Sequence, residues 1–299
     1  MTTNKLGLLE IQDEGRHDAD ALLFIHGYPD DLSLWDGQVS AFASQYRCVR
    51  VTLPGFGDEA NRRGYDFSEV VAMIHESLMA LTPKVESVTL VTHDWGAIYG
   101  YMFLQQYPHL VRKMAALDVG AHIFPQKNPL GYVLIPAYQL TLASAYVLSE
   151  LPAAGRPLSM ALTGAVRFLF QTLNGQDNLA GPSRRSAFHP IQNYPYYYFW
   201  RNMLLNRESM RLRTPTVPFF YAYGEAGMKR YMSFQSQNWL KKLQGRPDCV
   251  VYPMPDAGHW LMRDKKDQLN KALREFFVGP GRKRPGRSRN SNRTSVQNA

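Results

Sequence analysis

The stretch Val91-Thr92-His93-Asp94-Trp95-Gly96 sets a carboxylate between an apolar run, Ser87 to Val91, and a helix-like segment, Ala97 to Tyr107. A sharp strand-to-helix turn at such a junction lifts its central side chain out of the sheet. It also aims the helix N-terminus, with free N–H groups and the positive dipole end, at that side chain. The lifted residue here is Asp94. A carboxylate in that position can attack an sp³ carbon and form an ester with the protein's own side chain. That chemistry points away from ordinary ester cleavage.

Two further blocks bear on the same chemistry. His26-Gly27-Tyr28-Pro29 follows the apolar run Ala21 to Ile25, and Asp256-Ala257-Gly258-His259-Trp260 follows Val250 to Tyr252. Taken in order, the three blocks resemble the oxyanion loop, nucleophile turn and late histidine of the α/β-hydrolase family. Within it they resemble the epoxide hydrolase and haloalkane dehalogenase branch, and soluble epoxide hydrolases most. The resemblance runs over roughly residues 7 to 278. It implies an ester formed on Asp94 and hydrolysed by water, with His259 as the base. The tetrahedral oxyanion of that second step needs two donors. The backbone N–H groups of Trp95 and Tyr28 stand at the matching positions.

The acid that orients His259 has two candidates. Many relatives carry it after the strand that follows the cap, in a Gly-Glu-x-Asp-like stretch. Here that stretch reads Tyr223-Gly224-Glu225-Ala226-Gly227, with Gly227 in place of the acid. Other relatives place it 24 residues beyond the nucleophile, where this chain has Asp118. Asp118 is preferred and Glu225 is the alternative.

The leaving group separates two reaction classes. An epoxide opens to an alkoxide and needs a proton, so the cap must offer a phenol. Ala137-Tyr138-Gln139-Leu140 resembles the Tyr-Gln-Leu stretch of soluble epoxide hydrolases, which implies Tyr138 as proton donor. Phe199-Trp200-Arg201-Asn202-Met203 resembles their Trp-Tyr-Arg-Asn-Met, with Trp200 replacing the second tyrosine. Tyr198 or Tyr197 is then a substitute phenol, and Trp200 a substrate contact through its indole N–H. A halide would need N–H donors instead, which Trp95 and Trp200 both carry. Tyr28 stands where many haloalkane dehalogenases have Asn, which weighs against the halide. Ala97 to Gly100 lacks the arginines that bind a carboxylate in fluoroacetate dehalogenases. The expected activity is epoxide opening to a vicinal diol. The alternatives are a haloalkane dehalogenase and a pseudo-hydrolase that binds a small molecule or a partner. The expected partners are a small apolar organic substrate and water; no metal or organic cofactor and no specific nucleic acid is implied.

The elements that position these residues follow from periodicity. Strand and helix alternate up to Val111–Leu117, the pattern of a parallel sheet with helices on both faces. From His122 to Arg213 the pattern is helical and aromatic. Strand chemistry then resumes at Val217. The expected architecture is an α/β-hydrolase core over 1–121 and 214–278, with a helical cap over 122–213 inserted after the sixth strand. Caps of this kind cover the C-terminal edge of the sheet, where α/β folds hold ligands.

Charge and composition add limits. The 299 residues are 45% hydrophobic, enough for one large domain with an insertion. Of the net charge of +9, six come from basic residues between Gly279 and Ala299, a stretch with no acid that reads as a disordered tail. Cys48 and Cys249 both lie in apolar runs and read as buried reduced thiols. No secretory signal is evident near Met1, so a cytoplasmic protein is expected. From Asn128 to Ser149 there is no charge, about the length of a membrane span. Its polar side chains suit an amphipathic cap helix, so membrane contact is left open but not expected.

Overall fold

The computed structural model describes residues 8–57, 63–152, 154–174, 189–205 and 211–279. Its centre is a seven-stranded sheet. The strands are β1 (Ile11–Gly15), β2 (Ala21–Ile25), β3 (Arg47–Val51), β4 (Val88–His93), β5 (Val111–Leu117), β6 (Phe219–Gly224) and β7 (Cys249–Met254). Their spatial order is β1-β3-β2-β4-β5-β6-β7. β1 runs antiparallel to β3 and every other pair is parallel.

Helices cover both faces. α1 (Asp36–Phe42) and α9 (Lys266–Val278) lie on one side, in a core with Trp35, Phe42, Leu273 and Phe277. α2 (Phe67–Met79), α3 (Trp95–Gln106) and α7 (Gln237–Gln244) lie on the other, with Phe67, Tyr99 and Trp239. β2 shows why both faces must be covered. Leu22 and Phe24 enter the first core, while Leu23 and Ile25 enter the second. A strand apolar on both sides is buried on both sides.

β1 carries no strand signal in sequence because Gln12, Asp13 and Glu14 are polar. It is an edge strand held by ion pairs. The buried guanidinium of Arg47 donates to Asp13, and that of Arg50 donates to Glu14. α2 starts at a capping box in which Asp66 caps the helix and Glu69 reaches back to the Asp66 N–H.

Between β5 and β6 lie α4 (Gly131–Ser149), α5 (Gly155–Asn174) and α6 (Tyr194–Leu204). The insertion leaves the sheet after the fifth described strand, which corrects the expected sixth. Among the described residues one strand, β1, precedes β2, so five strands come before the insertion. The four residues of α8 (Leu261–Asp264) lead into α9. Cys48 is buried; Cys249 is half-buried, because it opens an edge strand rather than a central one. The basic tail from residue 280 onward lies outside the described residues.

Candidate active site

Asp94 sits between β4 and α3 with φ 54° and ψ −125°. Among the described residues two non-glycines have positive φ, Asp94 and Asp118 (φ 67°). Such backbone costs about 1–3 kcal/mol per residue and survives where the surroundings over-determine it. Both residues stand at the C-terminal ends of neighbouring parallel strands, β4 and β5. The turn at Asp94 also needs room. A Cβ on Gly27 would lie 2.5 Å from the Asp94 side chain, and one on Gly96 would collide with the carbonyls of Ile25 and His26. Glycine at both positions lets the two loops touch.

That contact brings the Tyr28 N–H to Asp94. It donates to Oδ1 at 2.8 Å, and the Trp95 N–H at the start of α3 helps to hold the carboxyl pKa down. The loop behind is fixed by His26, which donates from Nδ1 to the Gly27 carbonyl and accepts the Leu53 N–H at Nε2. With both nitrogens so used, His26 is neutral, and burial holds its pKa down at about 4.

The other Asp94 oxygen, Oδ2, lies 3.6 Å from Nε2 of His259. His259 Nδ1 donates to Asp118 Oδ2 in a very short hydrogen bond. The chain of contact Asp94–His259–Asp118 is therefore continuous. Glu225 is exposed and makes no such contact, so the geometry selects Asp118 as the partner of His259. Burial alone would push the Asp94 and Asp118 carboxyls up. For Asp94 the hydrogen bond and charge of His259 outweigh it; for Asp118 the charges of Lys229 and His259 do. Both pKa values end below the ordinary range. Burial would lower His259, but the two carboxylates prevail and push it up to about 9.

Three supporting groups, two of them inside the motifs, have roles that the motifs did not show. Lys229, on the turn after β6, is buried and donates from Nζ to Asp118 Oδ2 at 2.8 Å. The same oxygen therefore serves both Lys229 and His259, while Oδ1 accepts the Gly224 N–H. Burial holds the Lys229 pKa below its ordinary value against the pull of Asp118. His93 is neutral through burial and donates from Nε2 to the His259 carbonyl at 3.0 Å. The indole N–H of Trp260 donates to Asp30 at 2.8 Å, which anchors the histidine loop from its other side.

Lys229→Met has an expected outcome that follows from this sharing. Breaking a buried ion pair should cost about 3 kcal/mol of stability by denaturant titration. With Lys229 gone, Asp118 Oδ2 answers to His259 alone and stabilises its protonated form more. The pH needed to deprotonate His259 should rise by roughly one unit. A pH–rate profile unchanged in Lys229→Met would leave the lysine a purely structural role.

The cap faces this group with aromatic side chains. Tyr138 on α4 is half-buried and packs on Tyr196 of α6 (6.0 Å between ring centroids). Tyr196 in turn packs on Tyr28 (5.3 Å) and Trp95 (5.0 Å). Burial, and after it the Asp94 charge, push the Tyr196 phenol up, and burial and Asp94 act likewise on Tyr138. Both stay protonated at neutral pH. Gln139 Nε2 donates to the Tyr138 oxygen at 3.3 Å, leaving that hydroxyl proton free to be given.

Tyr198 lies elsewhere. It packs on Tyr146, Tyr194 and Tyr197, with Arg201 over its ring. Two residues along a helix is a rotation of about 200°, so Tyr196 and Tyr198 face opposite ways. This corrects the placement of Tyr198 at the substrate. The signal for Tyr196 was its spacing of one helical turn before Trp200. The indole N–H groups of Trp95 and Trp200 are both buried without a hydrogen-bond partner. Trp95 faces Tyr196 and Phe199, whereas the described ring contact of Trp200 is with Phe199.

Comparison with known proteins places this geometry. Epoxide hydrolase 1 of Caenorhabditis elegans is 23% identical over 278 residues, taking in 88% of this chain and 66% of that protein. The chain thus spans just under two thirds of that relative's length. The crystal structure of Bacillus megaterium epoxide hydrolase in complex with an inhibitor superposes with a TM-score of 0.63 at 20% identity, over 91% of this chain and 97% of that one. A loop variant of the haloalkane dehalogenase DbeA from Bradyrhizobium elkanii gives 0.62 at 19% identity, over 88% and 90%. The family model described as "Alpha/beta hydrolase family" matches residues 22–272. A match over that much of the chain, on a sheet whose strand ends carry Asp94, Asp118 and the His259 loop, makes this protein a member of the alpha/beta hydrolase family, epoxide hydrolase-like in its relatives.

Proposed function

We propose that the protein opens epoxides to vicinal diols through an ester on Asp94. The observation that carries the reading is the pair of protonated phenols, Tyr138 and Tyr196, packed on the cap side of a carboxylate whose other side meets His259. Asp94 Oδ2 attacks the less hindered epoxide carbon. The C–O bond of the ring breaks, and the alkoxide takes a proton from a phenol. Water then attacks Cγ of Asp94 as His259 removes its proton. The oxyanion that forms at Oδ1 already has the Tyr28 N–H in place, and the neighbouring Trp95 N–H is the second donor it requires. Collapse breaks the Cγ–Oδ2 bond and releases the diol, whose second hydroxyl takes its proton from His259. Asp94 is left carrying the hydroxyl that came from water, and the proton it loses on ionising returns through solvent to the tyrosine phenolate.

This cycle also accounts for the histidine. With Asp94 ionised, His259 is held protonated up to about 9. Esterification removes the Asp94 charge and hydrogen bond, so the His259 pKa falls and the imidazole becomes a base. Hydrolysis of the ester should therefore speed up as pH rises through a value below 9.

A single turnover in ¹⁸O-water tests the ester. The diol should come out unlabelled, having taken Oδ2, and the peptide containing Asp94 should carry the label. A diol labelled from solvent in its first turnover would mean direct water attack. One observation favours the second reading, a haloalkane dehalogenase: the indole N–H of Trp95, the residue after Asp94, is buried without an acceptor, as a halide site requires. Bromide release from bromoalkanes that exceeds diol formation from matched epoxides would establish that reading instead.

A further inference from the structure

Fourteen of the eighteen large apolar side chains exposed among the described residues lie between Phe124 and Leu205, in the helical insertion. They are not scattered. On α4, Val133 (66% exposed), Leu140 and Val147 recur at every seventh residue, and Leu130 and Leu151 extend the line at both ends. α5 packs along α4, with Ser159 donating to the Ala145 carbonyl, and exposes Leu158 and Phe168 (69%). Less than half of the α4 stretch, 44%, is buried. The helix is thus apolar on both sides rather than amphipathic: Ile135, Leu142 and Tyr146 are buried with Gln139, while Val133, Leu140 and Val147 face out. Soluble monomers rarely present so continuous an apolar surface, and such surfaces mark contact sites.

We propose that this face of α4 and α5 docks on an anionic lipid bilayer, lying in its interface. Charge distribution favours a bilayer. Residues 122–213 hold nine basic and three acidic side chains, and residues 279–299 hold six basic and none acidic, which leaves the rest of the chain at −3. The basic excess thus falls, in sequence, in the insertion that carries the apolar face and in the tail, and anionic headgroups complement it. Exposed Lys127 and Arg156 flank the α4 line at its two ends; Glu150 is the one described acid beside it. A second copy of the chain fits less well. A helical dimer seam with this seven-residue spacing uses charged flanking positions to choose its partner, and Asn128 to Ser149 contains no charge. Spanning is excluded by the inner face, which buries Gln139 and brings Tyr138 to Tyr196. One helix then separates the bilayer from the reacting carboxylate. The docking proposal stands whether or not the substrate is an epoxide.

Co-sedimentation of the full chain with vesicles tests it. Wild type should bind phosphatidylcholine vesicles weakly and phosphatidylcholine–phosphatidylserine vesicles more strongly, with the difference falling at high salt. The variant Val133→Ser/Leu140→Ser/Val147→Ser/Phe168→Ser should lose roughly 10²-fold in partition, since apolar insertion drives such binding. Its Tm should stay that of wild type, because all four side chains are exposed. Phe168→Ser alone, read alongside, should lose several-fold. Truncation after Gly279 should weaken the phosphatidylserine-dependent part and spare the rest. The proposal is overturned if wild type binds neither vesicle, if the quadruple variant binds as wild type does, or if truncation alone abolishes binding. A wild-type dimer that the variant converts to a monomer, with no vesicle binding by either, would assign the face to a second copy.

Discussion

His259→Gln should stop the enzyme after one cycle, with Asp94 esterified and a substrate-sized mass added to the protein. Attack by Asp94 does not use the imidazole as a base, so the ester still forms. Hydrolysis does use it, and steady-state turnover should fall by about 10⁴-fold or more, the range for removing a general base from a coupled set. Intact-mass spectrometry reads the adduct and a peptide map places it on Asp94. Glutamine keeps a polar side chain in a nearly filled space, so the fold should survive. Its amide does not bear the charge that the two carboxylates now share, and the Asp118–Lys229 pair remains to neutralise the acid. Normal turnover in this variant would remove His259 from the mechanism, and a variant with neither adduct nor turnover would show that attack itself needs the imidazolium beside Asp94.

The second large effect is expected from the cap. Tyr138→Phe/Tyr196→Phe deletes two hydroxyls and keeps both rings, so the ring packing on Tyr28, Trp95 and Phe170 persists. Without a proton donor the alkoxide must leave unprotonated, and alkylation should slow by about 10²–10⁴-fold, in the range of general-acid effects. Stopped-flow measurement of ester formation isolates that step from hydrolysis. Each single variant should retain part of the rate, because the remaining phenol still reaches the same oxygen. A double variant that opens epoxides at the wild-type rate would remove the observation on which the epoxide reading rests. Tyr198→Phe serves as the control and should change nothing, since that ring lies among Tyr146, Tyr194 and Tyr197.

Much of the fold and the core of the site were legible in the linear chain. Asp94, His259 and the Tyr28 loop announce themselves because each sits in a short local pattern: an apolar strand followed at once by Gly, Pro or a helix start. A turn of that kind is decided by neighbours in sequence, so it can be read there. Asp118 was legible only through the resemblance, because some relatives carry the acid 24 residues beyond the nucleophile, where this chain has Asp118. β1 was not legible, since its side chains are polar and its place in the sheet is secured by Arg47 and Arg50 on a distant strand.

Tertiary structure decided the rest. Lys229 and Asp118 are 111 residues apart, and nothing local marks a lysine that will be buried against a carboxylate. Among six aromatic residues in the run Tyr194 to Trp200, rotation of about 100° per residue on α6 chooses which ring meets Asp94. That rotation is set by packing against α4, and it selects Tyr196 over Tyr198. The outward face of α4 was settled in the same way. Its composition is apolar all round, so sequence alone could not say which side would be covered. Packing against α5 and α6 covers one side and leaves Val133, Leu140 and Val147 exposed. Residues whose environment is made by neighbours in sequence can be read from the chain, and residues whose environment is made by distant elements cannot.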